Sequence, residues 1–367
     1  MLTLLHPPLP DAAVRHWRWR GLHGSARALA LAEAVAADTR PWVFIAADTR
    51  EAEQLAAELH FFAGDALEIL TLPDWEVLPY DIFSPHPDIV SERLRTLSRL
   101  PGLRRGVLLL AVDSLLTRLP PVPYVQALSF ELRRGEPLAI EPLRLRLAQS
   151  GYASVSQVSS PGEFALRGSL FDVFPMGAPA PVRVDLLDEH IDTIRHFDPE
   201  SQRSLQAIQQ LRLLPARELP LDAESVRAFR RRYRARFEGD ITRMSVYRGV
   251  SEGIAPPGIE FYLPLFFDAT AMISDYLPDD AIIQQIHPHR RRRAHGEHIE
   301  QRAAQREFTG AADLADAGVA GLRQAQPQGL DRQRLTAPQL EAAGLYIGHR
   351  WQARKQAVDR QQQDAAA

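Results

Sequence analysis

The sequence predicts an α/β protein in which a parallel-sheet domain is interrupted by a small α+β domain of antiparallel strands. Over the first 128 residues, apolar strand-like runs alternate with helix-like runs, as in a parallel sheet covered by helices. After residue 128 the pattern changes to alternating apolar and polar residues separated by turns, which is typical of antiparallel strands. Mixed apolar segments return after residue 214 and are suited to complete the first sheet and its core.

The elements of the first part follow one another in a strand–helix alternation. In chain order we predict a helix over 26–37, a strand over 42–47, a helix over 49–62 with Thr49 as N-cap, a strand over 67–72, a helix over 89–100 and a strand over 106–112. The last strand, "GVLLLAV", is apolar throughout, as expected for a strand that is buried on both faces of a parallel sheet.

The middle of the chain, from Phe164 to Asp198, predicts three or four antiparallel strands. Within it, "VRVDLLD" alternates in side-chain character, and alternate residues of a strand point to opposite faces. We assign to the core face Val182, Val184 and Leu186. The outer face then carries Arg183, Asp185 and Leu187.

Beyond this region the sequence predicts a helix, "DAESVRAFRRRYRARF", with Asp222 or Ser225 near its start, followed by two apolar segments. The whole pattern divides the chain into residues 1–128, the first part of the α/β domain; 129–214, the inserted domain; 215–286, the second part of the α/β domain; and 287–367, an atypical Gln/Ala/Arg-rich tail. The tail has few large apolar residues, so its composition favours disorder.

The bulk composition excludes several classes of protein. The chain has 367 residues, 45% of them hydrophobic, a formal net charge of −3 and no cysteine. A disulfide framework and any cysteine-based chemistry are therefore excluded, and the whole chain lacks the basic excess of many nucleic-acid-binding proteins. No apolar run is long enough to span a bilayer, and the N-terminus lacks the apolar core of a signal peptide. We expect a cytoplasmic protein without membrane contact, and a monomer.

The stretch "GLHGSARA" precedes the first helix and resembles a phosphate-binding loop with parts missing. The P-loop spacing G-x-x-x-x-G-K-[ST] places its first glycine on Gly21, its second on Ala26, its lysine on Arg27 and its magnesium-binding hydroxyl on Ala28. Alanine has no oxygen for Mg²⁺, and the arginine fork does not replace a compact ammonium. Two interpretations remain: an ordinary glycine turn, or a degenerate P-loop in a RecA-like domain, with weak anion binding still open.

No other pattern in the sequence supplies catalytic or metal-binding residues. After "GVLLLAV" a phosphoryl-transfer enzyme would carry an acidic pair, but the sequence has Asp113 followed by Ser114. Four histidines, His287, His289, His295 and His298, lie within an arginine-rich stretch that favours a solvated basic segment. We therefore predict no catalytic residue, no cofactor and no metal ion.

Three stretches carry a resemblance to a known family. "LPDWEVLPYDIFSPHPDIVSERLRTL" resembles the N-terminal UvrB-like module of the transcription-repair coupling factors, the Mfd family. "GEFALRGSLFDVFPMG" and the following "VRVDLLDEHIDTIRHFDPESQRS" resemble the UvrA-binding domain that this family shares with UvrB. "PPGIEFYLPLFF" resembles the place where the first domain resumes. The resemblance covers roughly residues 1 to 280.

The resemblance implies a non-catalytic interaction module of transcription-coupled nucleotide excision repair, which recruits UvrA to stalled RNA polymerase. In this family the module is a structural copy of UvrB without its nucleotide site. Translocation, RNA polymerase binding and DNA binding belong to other domains of the family, and this chain shows no helicase motif. We therefore expect no enzyme activity here. A UvrB-like ATP-binding repair enzyme is the first alternative.

By the same resemblance, UvrA docks on Arg167, Arg183 and Leu187. Family members carry an aromatic residue at the third position, so Leu187 is a departure. The strand pattern independently places Arg183 and Leu187 on one outer face, where arginine suits an interface anchor. As such an anchor, Arg183 should tolerate charge reversal without loss of the fold. An ion pair of Arg167 with Asp172 or Asp185 is the alternative for that arginine.

A second alternative function is nucleic-acid binding through the arginine-rich helix or through the tail segment "HRRRRAH". In the helix, four arginines recur at helical spacing: Arg227, Arg230, Arg231 and Arg234. Tyr233 on the same helix is a candidate to stack on a base. The competing interpretation is a solvated helix face beside acidic residues.

Overall fold

The structure, a computed structural model, describes residues 7, 9, 19, 22–78 and 83–285. The predictions that concern Gly21, the four histidines after residue 286 and the tail lie outside the described residues. Among the residues that are described, no helix is long and apolar enough to cross a membrane.

The first part of the chain forms the predicted alternation of helices and strands. Its elements are α1 (Ala26–Ala37), β1 (Pro41–Ala46), α2 (Thr49–Ala63), β2 (Ile69–Leu72), α3 (Pro87–Arg99), β3 (Gly106–Ala111), α4 (Val112–Leu115) and α5 (Val122–Leu128). The predicted N-cap of α2 is wrong by one residue. Asp48 occupies the cap position, and its carboxylate accepts a hydrogen bond from the Glu51 backbone N–H at 2.9 Å.

The middle of the chain forms a β-rich unit. Its elements are β4 (Phe130–Arg133), α6 (Ile140–Gln149), β5 (Ala153–Ser154), β6 (Glu163–Arg167), β7 (Leu170–Val173), β8 (Val182–Leu187), β9 (His190–Phe197), β10 (Ser204–Ile208) and β11 (Gln210–Leu213). Six strands form one sheet in the order β10-β9-β8-β7-β6-β5, and β11 pairs with β4. Four of the five adjacent strand pairs are antiparallel, whereas the short β5 runs parallel to β6.

The chain then returns to the first sheet. It forms α7 (Ala223–Arg236), α8 (Ser245–Ser251) and β12 (Ile282–Gln285). The parallel sheet has the order β12-β1-β3-β2, so the returning segment completes it, as the sequence predicted. The apolar run "GIEFYLPLFF" does not add a strand. It forms a 3₁₀ helix, Ile259–Leu265, and Pro264 within it has no N–H for a sheet ladder.

Helix α3 packs against two hydrophobic cores. Leu97 packs under the parallel sheet, whereas Leu94 packs with the apolar residues beneath the six-stranded sheet. Gly177 closes the contact, because its N–H donates to the Ser91 hydroxyl at 2.7 Å. A side chain at Gly177 is excluded, since its φ is 79° and a Cβ atom there would lie 2.8 Å from the Cβ of Arg95. The β-rich unit is therefore fixed against α3.

A buried ion pair lies at the same junction. Arg93 of α3 and Glu218, which follows the β-rich unit, are 0% and 2% exposed, and Arg93 Nε lies 2.5 Å from Glu218 Oε1. Arg93 also donates to the Pro73 carbonyl at 2.8 Å, and its guanidinium lies 5.1 Å from the ring centre of Trp75. We name Arg93, Glu218, Trp75 and Pro73 the junction cluster. It joins three segments that are distant in sequence.

Candidate partner-binding surface

In the loop before α1, two backbone amides form hydrogen bonds within the loop itself. The Ala26 N–H donates to the His23 carbonyl at 3.2 Å, and the Arg27 N–H donates to the Gly24 carbonyl at 3.4 Å. A working P-loop presents such backbone N–H groups to the phosphates. Here at least these two amides are turned inward, and the Ala28 side chain is fully buried.

Arg27, the arginine of this loop, forms an ion pair within the protein. Arg27 Nη1 lies 2.7 Å from Glu51 Oε1, and the second oxygen of Glu51 accepts the Ala47 N–H at 2.9 Å. Glu51 therefore neutralises the residue that stands in the lysine position. Gly21, the first position of the predicted loop, lies outside the described residues.

The six-stranded sheet has a core face and an outer face. Phe171, Val173, Val182 and Val184 are fully buried on the core face. The outer face is the opposite one. Strand pairing places two rows of side chains across it: Ala165, Asp172, Arg183 and Arg195 in one row, and Arg167, Leu170, Asp185 and Thr193 in the next. Arg167 and Arg183 therefore share a face, two strands and one row apart.

Arg183 is held tightly on this face. Its Nε lies 2.7 Å from Asp172 Oδ1 and its Nη2 lies 2.8 Å from Asp172 Oδ2, a bidentate pair. Nη1 donates to the Gln202 carbonyl at 3.3 Å, and the guanidinium lies 4.7 Å from the ring centre of Phe197. Hydrogen bonding to Asp172 raises the pKa of Arg183 above its ordinary value. Only 17% of the side chain is exposed.

The environment of Arg183 argues against the expectation that its charge can be reversed without loss of the fold, while its contact with a partner stays a prediction. The backbone direction of Arg183 is as the alternation predicted, but its side chain is an ion-pair partner of the buried Asp172 rather than a free anchor. The alternative ion pair between Arg167 and Asp172 is wrong, because Asp172 pairs with Arg183 instead. Arg167 is exposed, and its Nη2 donates to the Ser156 carbonyl at 2.8 Å.

Arg167 and Leu187 lie at the same end of the sheet. Arg167 ends β6 just before the turn at Gly168 and Ser169, and Leu187 ends β8 just before the turn at residues 188–189. The Leu186 N–H bonds the Ser169 carbonyl at 2.9 Å, which brings the two hairpin tips side by side. Leu187 is 64% exposed. From the spacing of strands and the rise along them, the backbones of Arg167 and Leu187 are about 12 Å apart.

Other residues shape this surface, and only Asp172 among them was named from the sequence, as an alternative partner of Arg167. Asp172, Gln202 and Phe197 fix Arg183, and Val158 packs with Phe197 and Ala165 to cover part of the outer face. Asp172 gave one signal: it stands between buried Phe171 and Val173, so alternation puts its carboxylate on the outer face. Within the described ranges no group of three or more His, Cys, Asp or Glu is arranged to hold a metal ion.

The fold defines a class of protein: an α/β domain with a parallel sheet that carries an inserted, β-rich domain. Residues 130–219 match the family model of the UvrB interaction domain. The matched residues span β4 to β11.

Over most of its length the chain is similar to the transcription-repair-coupling factors. It is 37% identical over 306 residues to the transcription-repair-coupling factor of Haemophilus influenzae, which covers 83% of this chain and 26% of the relative. It is 40% identical over 263 residues to that of Escherichia coli K12, with 71% and 23% covered, and 36% identical over 275 residues to that of Myxococcus xanthus, with the same shares. The resemblance to this repair family is confirmed, and the chain spans about a quarter of the length of these relatives.

Proposed function

We propose that the chain is a non-catalytic interaction module of a transcription-coupled DNA repair factor, and that it binds UvrA through the outer face of its UvrB interaction domain. The observation that carries the proposal is the pair of adjacent hairpin tips, which present Arg167 beside the 64%-exposed Leu187. An arginine and an apolar side chain on a rigid sheet suit an interface centre. The expected division into residues 1–128, 129–214, 215–286 and 287–367, the monomeric state and the cytoplasmic location are part of this proposal.

The three predicted contact residues have different roles in it. Arg167 and Leu187 are exposed, so they contact the partner directly. Arg183 keeps its fork on Asp172, so it offers only its exposed edge and chiefly fixes the shape of the face. The altered loop around Arg27 supports the non-catalytic part, because its charge and two of its amides are used within the protein.

We expect Leu187→Asp and Arg167→Glu each to weaken UvrA binding by a factor of about 30 or more, the effect of losing an interface hot spot of about 2 kcal/mol. Both residues are exposed, so the fold should remain intact. Binding of purified UvrA to the immobilised full chain measures the effect.

Matched controls exist in the same domain. Leu145 is 58% exposed on α6, whose other side packs on the core, and Arg144 is its exposed neighbour. Leu145→Asp and Arg144→Glu should bind UvrA like the parent. If the α6 variants lose binding and the hairpin variants keep it, the proposed surface is wrong.

A further inference from the structure

Helix α7 carries a continuous row of arginines along one side. Arg227, Arg230, Arg231 and Arg234 together line a shallow cleft of about 420 Å³. They stand at positions i, i+3, i+4 and i+7 of the helix, so the row is about 10 Å long. We name these four residues the arginine row.

The charges of this row are not neutralised within the described part of the chain. None of its four arginines lies within 4.0 Å of a carboxylate there, whereas Arg232 on the same helix forms an ion pair with Asp268. The competing interpretation, a solvated helix face beside acidic residues, stays a prediction, since Glu224 lies one turn before Arg227 on the same helix without forming an ion pair with it. Four cations that form no ion pair within the described residues attract an anion. Because the net charge of the whole chain is −3, this positive charge is confined to a local patch.

Two members of the row are pre-oriented by one ring. The guanidinium of Arg230 lies 6.0 Å, and that of Arg234 5.6 Å, from the ring centre of Tyr247. Burial acts to raise the pKa of Tyr247, but hydrogen bonds from both arginines outweigh it and leave that pKa below its ordinary value. Tyr247 thus fixes the two side chains, which lowers the entropy lost when they bind a ligand.

The buried side of α7 limits which kind of anion the arginine row can bind. The apolar side of α7 is used internally, since Val226, Phe229 and Tyr233 are buried. The hypothesis that Tyr233 stacks on a base is wrong, because Tyr233 is 1% exposed and packs among Phe229, Phe237 and Tyr247. The row therefore offers charge without an apolar anchor, unlike a protein-binding groove. Arginine forks matched to a line of charges suit successive phosphates.

We propose that the arginine row is a second binding surface, separate from the UvrA-binding face, which holds the phosphate backbone of duplex DNA without reading its sequence. Phosphates dominate such binding, and each neutralised phosphate releases counterions, so affinity falls steeply with salt.

Fluorescence anisotropy of the full chain with a labelled random-sequence duplex tests the proposal over a series of salt concentrations. The triple variant Arg227→Gln, Arg231→Gln, Arg234→Gln keeps good helix formers and should remain folded. We expect its plot of log affinity against log salt to become shallower by about 2.7, since each phosphate contact contributes about 0.9. Its affinity at low salt should fall at least about tenfold.

The control triple, Arg133→Gln, Arg144→Gln, Arg243→Gln, removes the same charge from exposed arginines that already have acidic partners, and it should bind like the parent. A variant with glutamine at Arg290, Arg291, Arg292 and Arg293 reports on the tail. The proposal is overturned if the duplex does not bind, if only the tail variant loses binding, or if both triples lose it equally. It is also overturned if poly-glutamate of equal charge displaces the duplex as well as unlabelled duplex does, because the occupant would then be an acidic protein.

Discussion

Arg93→Ala is expected to lower the free energy of unfolding by about 3–5 kcal/mol, because it leaves the Glu218 carboxylate buried without its partner. Glu218 is 2% exposed and receives both Nε and Nη2 of Arg93, at 2.5 and 3.3 Å. The truncation also removes the donor to the Pro73 carbonyl and the contact with Trp75. The loss should be felt in both domains, since the junction cluster joins them through α3.

Urea unfolding of the full chain measures this change. The control is Arg144→Ala, whose pair with Glu141 is exposed, and which should cost less than about 1 kcal/mol. The double variant Arg93→Met, Glu218→Leu should recover much of the loss, because two apolar side chains replace two desolvated charges. A loss below about 1 kcal/mol for Arg93→Ala would show that the junction cluster does not hold the domains together.

Arg183→Glu is expected to destabilise the β-rich unit by about 3–5 kcal/mol. The substitution places a second carboxylate against Asp172, which is 2% exposed and bonded through both oxygens to Arg183. It also removes the guanidinium from the ring of Phe197. A loss of UvrA binding in Arg183→Glu would therefore report a loss of stability as well as a loss of contact.

Thermal unfolding and limited proteolysis of the domain measure this effect. Arg167→Glu, in the next row of the same face, is the matched charge reversal, and it should leave the unfolding midpoint close to that of the parent. If Arg183→Glu melts like Arg167→Glu, then the pair with Asp172 does not stabilise the domain, and Arg183 is a free anchor after all.

Local patterns in the sequence were sufficient to predict most of the architecture. The apolar run of β3, the alternation in β8 and the cap residue Asp222 of α7 each depend on neighbours a few positions away, and the structure confirms all three. The return of the chain into the first sheet was predicted from the two apolar segments after residue 214, and the second of them leads into β12.

Side-chain contacts between residues far apart in the sequence could not be predicted from local patterns. The side chain of Arg183 is directed by the β7–β8 register, which sets Asp172 opposite it, and by Gln202. The junction cluster joins Arg93 to a residue 125 positions away. Tyr233 looked available on an arginine-rich helix, and only the packing of other aromatic rings buries it.

The central claim is that UvrA contacts the outer face at the two hairpin tips. Hydrogen–deuterium exchange of the full chain, with and without UvrA, tests it most directly, because bound backbone amides exchange more slowly. We predict slower exchange in the presence of UvrA over residues 163–173 and 182–197, with no change over α6 or α7. Unchanged exchange at both hairpins, with protection over α6 or the α/β domain instead, would contradict the proposed surface.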